Sequence, residues 1–166
     1  MSTLLTNYDG FCIVRSMIRT GVKFMDRKLQ GLDFIDSVSE RHQQLRKLTE
    51  QLWNDSSKIY LSNSEWFIMA RIYKRNPTIA YVSKNVDISR QATHKFIKQL
   101  ENKGLLEISD AEHNKKDKCL QLTSLGEACY EKNEALKAGL EEHIAHKIGS
   151  ENLIVLKDIL KMDWGL

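Results

Sequence analysis

Apolar residues recur along this chain at two different periods, and the change of period divides it. Over residues 32–53, Phe34, Val38, Leu45, Leu48 and Leu52 keep one face apolar, which predicts a long amphipathic helix. Ser62-Asn63-Ser64-Glu65 then reads as a capping box. In it the Ser62 hydroxyl accepts from the Glu65 amide while the Glu65 carboxylate reaches back. Residues 66–70 and Ile72 continue this second helix, and Pro77 is expected to close it. Thr78 is placed to cap a short helix over residues 79–86. Asp87-Ile88-Ser89 makes a tight break, with Ser89 as cap of a fourth helix reaching about Asn102. Gly104 suits the position just past its end.

After Gly104 the period shortens. Residues 105–108 and 119–122 read as two strands, and the polar residues 110–118 as the hairpin between them. Helical spacing returns over residues 125–148, with Leu136, Leu140, Ile144 and Ile148 on one side. Gly149-Ser150 interrupts it, and residues 151–162 form a last amphipathic helix around Leu153, Leu156 and Leu160. The predicted fold is mainly α with a small β element (α+β). A winged helix-turn-helix over residues 61–123 lies between helical regions 32–60 and 124–166, after an extension of residues 1–31.

Charge sharpens this picture once it is divided along the chain. The net +3 hides a segment, residues 71–103, with eight Lys/Arg against two acidic residues, whereas residues 124–166 carry five Lys against eight Asp/Glu. Such asymmetry suits a module for a polyanion flanked by acidic helices. The fourth helix repeats it on a smaller scale. At about 100° per residue, Ala92, Thr93, Phe96, Ile97 and Leu100 share one arc and Arg90, Gln91, His94, Lys95 and Lys98 the opposite one. The second arc offers cations for phosphates and hydrogen-bonding groups for base edges, and it holds no apolar residue.

These segments together resemble the multiple antibiotic resistance regulator (MarR) family. The likeness rests on residues 61–66, Val86-Asp87-Ile88-Ser89-Arg90-Gln91-Ala92-Thr93, Leu100-Glu101-Asn102-Lys103-Gly104-Leu105-Leu106 and Leu122-Thr123-Ser124-Leu125-Gly126. It covers residues 32–164. The resemblance implies a homodimer that binds double-stranded DNA in the cytoplasm and acts as a repressor released by a small ligand or other signal. DNA contacts are expected from Ser89, Arg90, Gln91, His94, Lys95, Lys98, Lys115, Lys116 and Lys118. Val38, Leu45, Leu52, Leu136, Leu140, Ile144, Ile148, Leu156 and Leu160 are expected at the dimer interface, and Trp53, Tyr60, Trp66 and Tyr130 around a small aromatic ligand.

Two departures from the family pattern matter. The wing carries Asn114-Lys115-Lys116 where members usually have an Asp before a basic pair of arginines. Lysine is a point charge, while arginine bonds in a plane and fits a narrow minor groove, so these lysines are expected to hold phosphates. Gln91, Ala92, His94 and Lys95 also differ from the usual residues, so no relative's operator sequence carries over.

Other chemistry finds little support. The chain has no Gly-rich phosphate loop, no HExxH and no nucleophile elbow, so no catalytic residue and no cofactor are expected. No apolar run nears the roughly 20 residues that span a bilayer, and no membrane partner is expected. His42, His113, His143, His146, Glu141 and Glu142 leave a zinc-responsive regulator as an alternative, though His-x-x-His on a charged helix is common by chance. Cys12, Cys119 and Cys129 form no CxxC, and they leave a redox-responsive regulator as an alternative of equal standing. A winged helix that binds protein instead of DNA is the third, separable by salt dependence.

Overall fold

The structure, a computed structural model, describes residues 29–111 and 114–166, with the backbone alone at residues 111 and 114–116. Residues 1–28, His113 and the side chains of Lys115 and Lys116 thus lie outside the described residues. The elements run α1 (Phe34–Ser56), α2 (Asn63–Ile72), α3 (Ile79–Lys84), α4 (Arg90–Asn102), β1 (Leu106–Ala111), β2 (Asn114–Leu122), α5 (Ser124–Ile148) and α6 (Ser150–Lys161). The mainly helical α+β class and the winged helix are both present.

Local chemistry sets most of these boundaries. Asp33 caps α1, its carboxylate accepting from the Asp36 amide at 2.9 Å. The capping box at α2 is complete: the Glu65 amide donates to Ser62 Oγ and the Ser62 amide to Glu65 Oε2 at 2.9 Å. Thr78 caps α3 by accepting from the Tyr81 amide at 3.1 Å, and Ser89 caps α4 by accepting from the Ala92 amide at 3.2 Å.

Pro77 does not close α2. The helix ends at Ile72, Lys74 takes a left-handed φ of 53°, and the Arg75 amide donates to the Ile72 carbonyl at 2.8 Å. That turn reverses the chain before the proline is reached. Pro77 serves another purpose: its carbonyl accepts from the Leu120 amide at 2.9 Å, and Thr78 forms an isolated antiparallel bridge with Cys119. The chain entering α3 therefore lies along the outer edge of β2. A proline lacks an N–H but loses nothing where only its carbonyl is used.

The two strands pair antiparallel from Leu106↔Leu122 through Ser109↔Cys119 to Asp110↔Lys118, with an irregularity before Ala111. They are longer than their apolar residues predict, because the polar residues of the shaft join the ladder as well.

The described chain forms two compact units. In residues 44–134, Trp53, Leu61, Ile68, Met69, Ile72, Val82, Ile97, Leu100, Leu105 and Leu120 are almost fully buried. Burial of each such side chain contributes about 1.5–3 kcal/mol. The Trp53 indole donates to the Ile59 carbonyl at 2.7 Å and meets the Trp66 ring edge-on at 4.9 Å. The second unit comprises residues 29–43 and 135–166. Within it Phe34 contacts Trp164 at 5.8 Å, and Lys157 pairs with Glu141 at 2.7 Å. No helix among the described residues is long and apolar enough to cross a membrane.

The expected interface stripes divide by burial. Leu52 is almost fully buried within the single chain, and Leu136 and Leu140 are buried with a small part of their surface left open. Val38, Leu45, Ile148, Leu156 and Leu160 are exposed, and Ile144 is half-buried.

Candidate nucleic-acid interface

The basic arc of the fourth helix survives folding intact. Thr93, Ile97 and Leu100 are buried on one side of α4, while Arg90, Gln91, His94, Lys95 and Lys98 are exposed on the other. Thr93 Oγ1 donates to the Ser89 carbonyl at 3.1 Å, so the first turn is pinned from inside and the outward face is left unobstructed. Ser89 spends its hydroxyl on the cap. The turn ahead of it is braced by Arg71, whose Nε donates to the Asn85 carbonyl at 2.8 Å. Asn85 Nδ2 in turn donates to the Tyr81 carbonyl at 2.8 Å. Neither brace was legible in the sequence, since both partners are ordinary polar residues.

Two of the expected cations are engaged within the chain. Lys98 pairs with Glu101 one turn on, at 2.6 Å, and Lys118 pairs across the strands with Asp110. Lys118 therefore sits on the shaft of the wing, with part of its charge neutralised. Arg90 and Lys95 are exposed and in no ion pair among those recorded for the described residues.

The far end of α4 is held from two directions. The Lys103 ammonium pairs with the buried Glu65 carboxylate and donates to the Tyr60 carbonyl at 2.8 Å. On the other side, Thr123 Oγ1 donates to the Gly104 carbonyl at 2.7 Å and the Thr123 amide to the Leu105 carbonyl at 3.1 Å. Gly104 has a φ of +70°, a conformation glycine adopts without the Cβ penalty of other residues.

The four aromatic residues expected around a ligand do not gather at one opening. Trp53 and Trp66 belong to the core. Tyr130 stacks on Tyr73 at 4.4 Å, and the Tyr73 hydroxyl donates to Glu131. Only Tyr60 lines an open groove of about 430 Å³, together with Ser62, Glu65, Phe96, Gln99, Asn102 and Lys103. Its phenol donates to Glu50 at 2.9 Å, which pushes its pKa above the ordinary value of 10.0. Among the described residues no group of three or more His, Cys, Asp or Glu is arranged to hold a metal ion.

A basic helix after a tight turn, backed by a two-stranded wing, is the winged-helix arrangement, and the family model described as a winged helix DNA-binding domain fits it over residues 61–126. The fold of the described chain is that of the MarR regulators. Reduced MarR from E. coli superposes with a TM-score of 0.70 at 16% identity, over 78% of this chain and 95% of that one. FabT of Streptococcus pneumoniae, solved in complex with DNA, gives 0.66 at 20% identity over 75% and 88%. PcaV of Streptomyces coelicolor, solved with its natural ligand, gives 0.60 at 14% identity over 79% and 94%. No curated protein matches the chain by sequence.

Proposed function

We propose that this chain is a transcription regulator that binds duplex DNA sequence-specifically as a homodimer, and that it is a repressor released by a small ligand. The observation that carries the DNA reading is the exposed arc Arg90, Gln91, His94, Lys95 and Lys98, held rigid by Ser89 and Thr93 at the start of α4. In it, Gln91 and His94 read base edges in the major groove, Arg90 and Lys95 hold phosphates, and the wing lysines add further phosphate contacts.

Dimerisation has its own support. α6 has six apolar residues among twelve, yet none is buried. Ile154, Val155, Leu156, Ile159 and Leu160 are all exposed, as are Phe34, Ile35 and Val38 at the start of α1. An apolar surface of this extent marks an interaction site. A second copy covers it in this reading, and two recognition helices then read half-sites about 34 Å apart. Release by a ligand rests on the likeness to PcaV, a regulator solved with its natural ligand. A regulator of this kind works in the cytoplasm, beside the chromosome.

The test is selection from random duplexes, followed by affinity measurements over a salt series and by sedimentation equilibrium. A paired, two-fold related half-site, a steep fall of log affinity with log salt, and a dimer are expected. Binding without enrichment and without salt dependence overturns the DNA reading. A monomer at micromolar concentration overturns the dimer.

A further inference from the structure

We propose that Thr123 and Gly126 are positioning residues that fix the angle between α4 and the wing, and so set how sharply the protein discriminates between DNA sequences. This inference rests on the DNA-binding reading above and adds residues that touch no DNA. Only Lys103, Gly104 and Leu105 separate the end of α4 from β1. The middle one is a glycine in the left-handed region, the residue type with the widest backbone freedom. Left to itself, such a link lets the helix and the wing turn against each other. Base readout needs its side chains held to within about 0.5 Å and 10–20°.

The Gly104 amide donates to the Glu101 carbonyl at 2.9 Å and the Leu105 amide to the Leu100 carbonyl at 3.0 Å, which ties the link to α4, while Pro77 holds the outer edge of β2. The bonds that join the link to the base of the wing come from the other end of the hairpin. One hydroxyl, Thr123 Oγ1, donates to the Gly104 carbonyl at 2.7 Å and accepts from the Gly126 amide at 3.0 Å. The Thr123 amide donates to the Leu105 carbonyl at 3.1 Å, and its carbonyl accepts from the Glu127 amide at 2.8 Å. Gly126 lets the first turn of α5 lie directly on this link: a Cβ there would overlap the Leu105 carbonyl oxygen. The exit of the recognition helix, the base of the wing and the start of α5 thus meet at a single joint. Leu105 and Leu106, both buried, seat it in the core. The Lys103–Glu65 pair fastens the same helix end to α2.

Thr123→Val keeps the shape of the side chain and removes both hydroxyl bonds, whereas Thr123→Ser keeps them. Spin labels carried by ketone-bearing residues at positions 98 and 107 report the distance from α4 to β1 in the full chain. Narrow distributions are expected in the parent and in Thr123→Ser, and a broad one in Thr123→Val. On DNA, Thr123→Val is expected to lose about tenfold in the ratio of operator to random-duplex affinity, the worth of one misaligned base contact. Its random-duplex affinity and the cooperativity of its thermal melt should stay unchanged, and Thr123→Ser should retain the ratio. A distribution in Thr123→Val as narrow as the parent's overturns the proposal, and so does a broad one with the ratio preserved or with both affinities lost together. If the parent itself binds no duplex, the DNA reading fails and the discrimination claim with it, while the spin labels still decide whether the joint sets the angle.

Discussion

Glu65 and Lys103 form an ion pair between the first turn of α2 and the residue that ends α4. The carboxylate is almost completely buried, and its second oxygen is already committed to the Ser62 amide and hydroxyl. Removing one partner of a fully buried pair costs about 3–5 kcal/mol, because the other charge is stranded. Lys103 remains partly exposed, so Lys103→Ala is expected to cost less, about 2–3 kcal/mol, by urea denaturation. A loss under about 0.5 kcal/mol would mean that water replaces the ammonium.

Lys74 holds a left-handed backbone where most residues are strained, while its ammonium lies 4.9 Å from the centre of the Tyr73 ring. Alanine at this position loses the cation and keeps the strain; glycine loses both. Lys74→Gly should therefore be more stable than Lys74→Ala by about 1 kcal/mol. Equal stabilities would show that the turn relaxes around the alanine.

On the recognition helix the structure ranks the cations. Gln91→Ala should cost on the order of 1–3 kcal/mol on the operator and little on random duplex. Lys95→Ala should weaken both alike and flatten the salt slope by about one unit. Lys98→Ala should do less than Lys95→Ala, since Glu101 already neutralises that ammonium. Conversely, Glu101→Gln should raise affinity for random duplex. Competition binding over a salt series checks all four.

The wing follows the same logic. Lys115→Ala with Lys116→Ala should weaken specific and random binding together and flatten the slope by about two units. Lys118→Ala should change it less, because Asp110 faces it across the ladder. A double variant that loses only operator affinity would mean that the wing reads sequence or groove width.

Alkaline stability has a sign set by Cys129. Burial pushes this thiol above its ordinary value of 9.0, against the weaker opposing effect of Lys132. The folded chain thus favours the neutral thiol more than the unfolded chain does. The associated stability is complete below about pH 9 and is lost as pH rises through the raised value. Between about pH 8 and pH 10 the parent should lose more stability than Cys129→Ala, as urea titrations at the two pH values would show. Parallel losses would assign the effect to other groups.

What the sequence made legible was short-range. Ser62 with Glu65, Thr78, Ser89 and Gly104 each announce a helix end within four residues, and each sits where its chemistry requires. The opposed arcs of α4 were equally plain, because one helix turn defines them. Contacts between distant segments were not. Nothing in the spacing of Glu65 and Lys103, or of Gly104 and Thr123, marks them as partners. The apolar stripes show the same limit: periodicity identifies Leu52 and Leu136 as apolar-face residues, but not that this chain buries them itself. Pro77 misled for a related reason. A proline signals that a helix cannot pass through it, whereas the actual end of α2 depends on the left-handed turn at Lys74.

The bridge from Pro77 and Thr78 to Leu120 and Cys119 constrains the order in which the molecule can be assembled. The strand-like lead into α3 waits for a partner from much later in the chain. As the polypeptide leaves the ribosome, α2, α3 and α4 emerge with that edge still unpaired, and it stays open until β2 has been made. A chain that stopped within the wing would keep every residue of the helix-turn-helix and still leave its leading edge undocked. The wing is thus a folding partner of the helices that precede it, quite apart from anything it does on DNA.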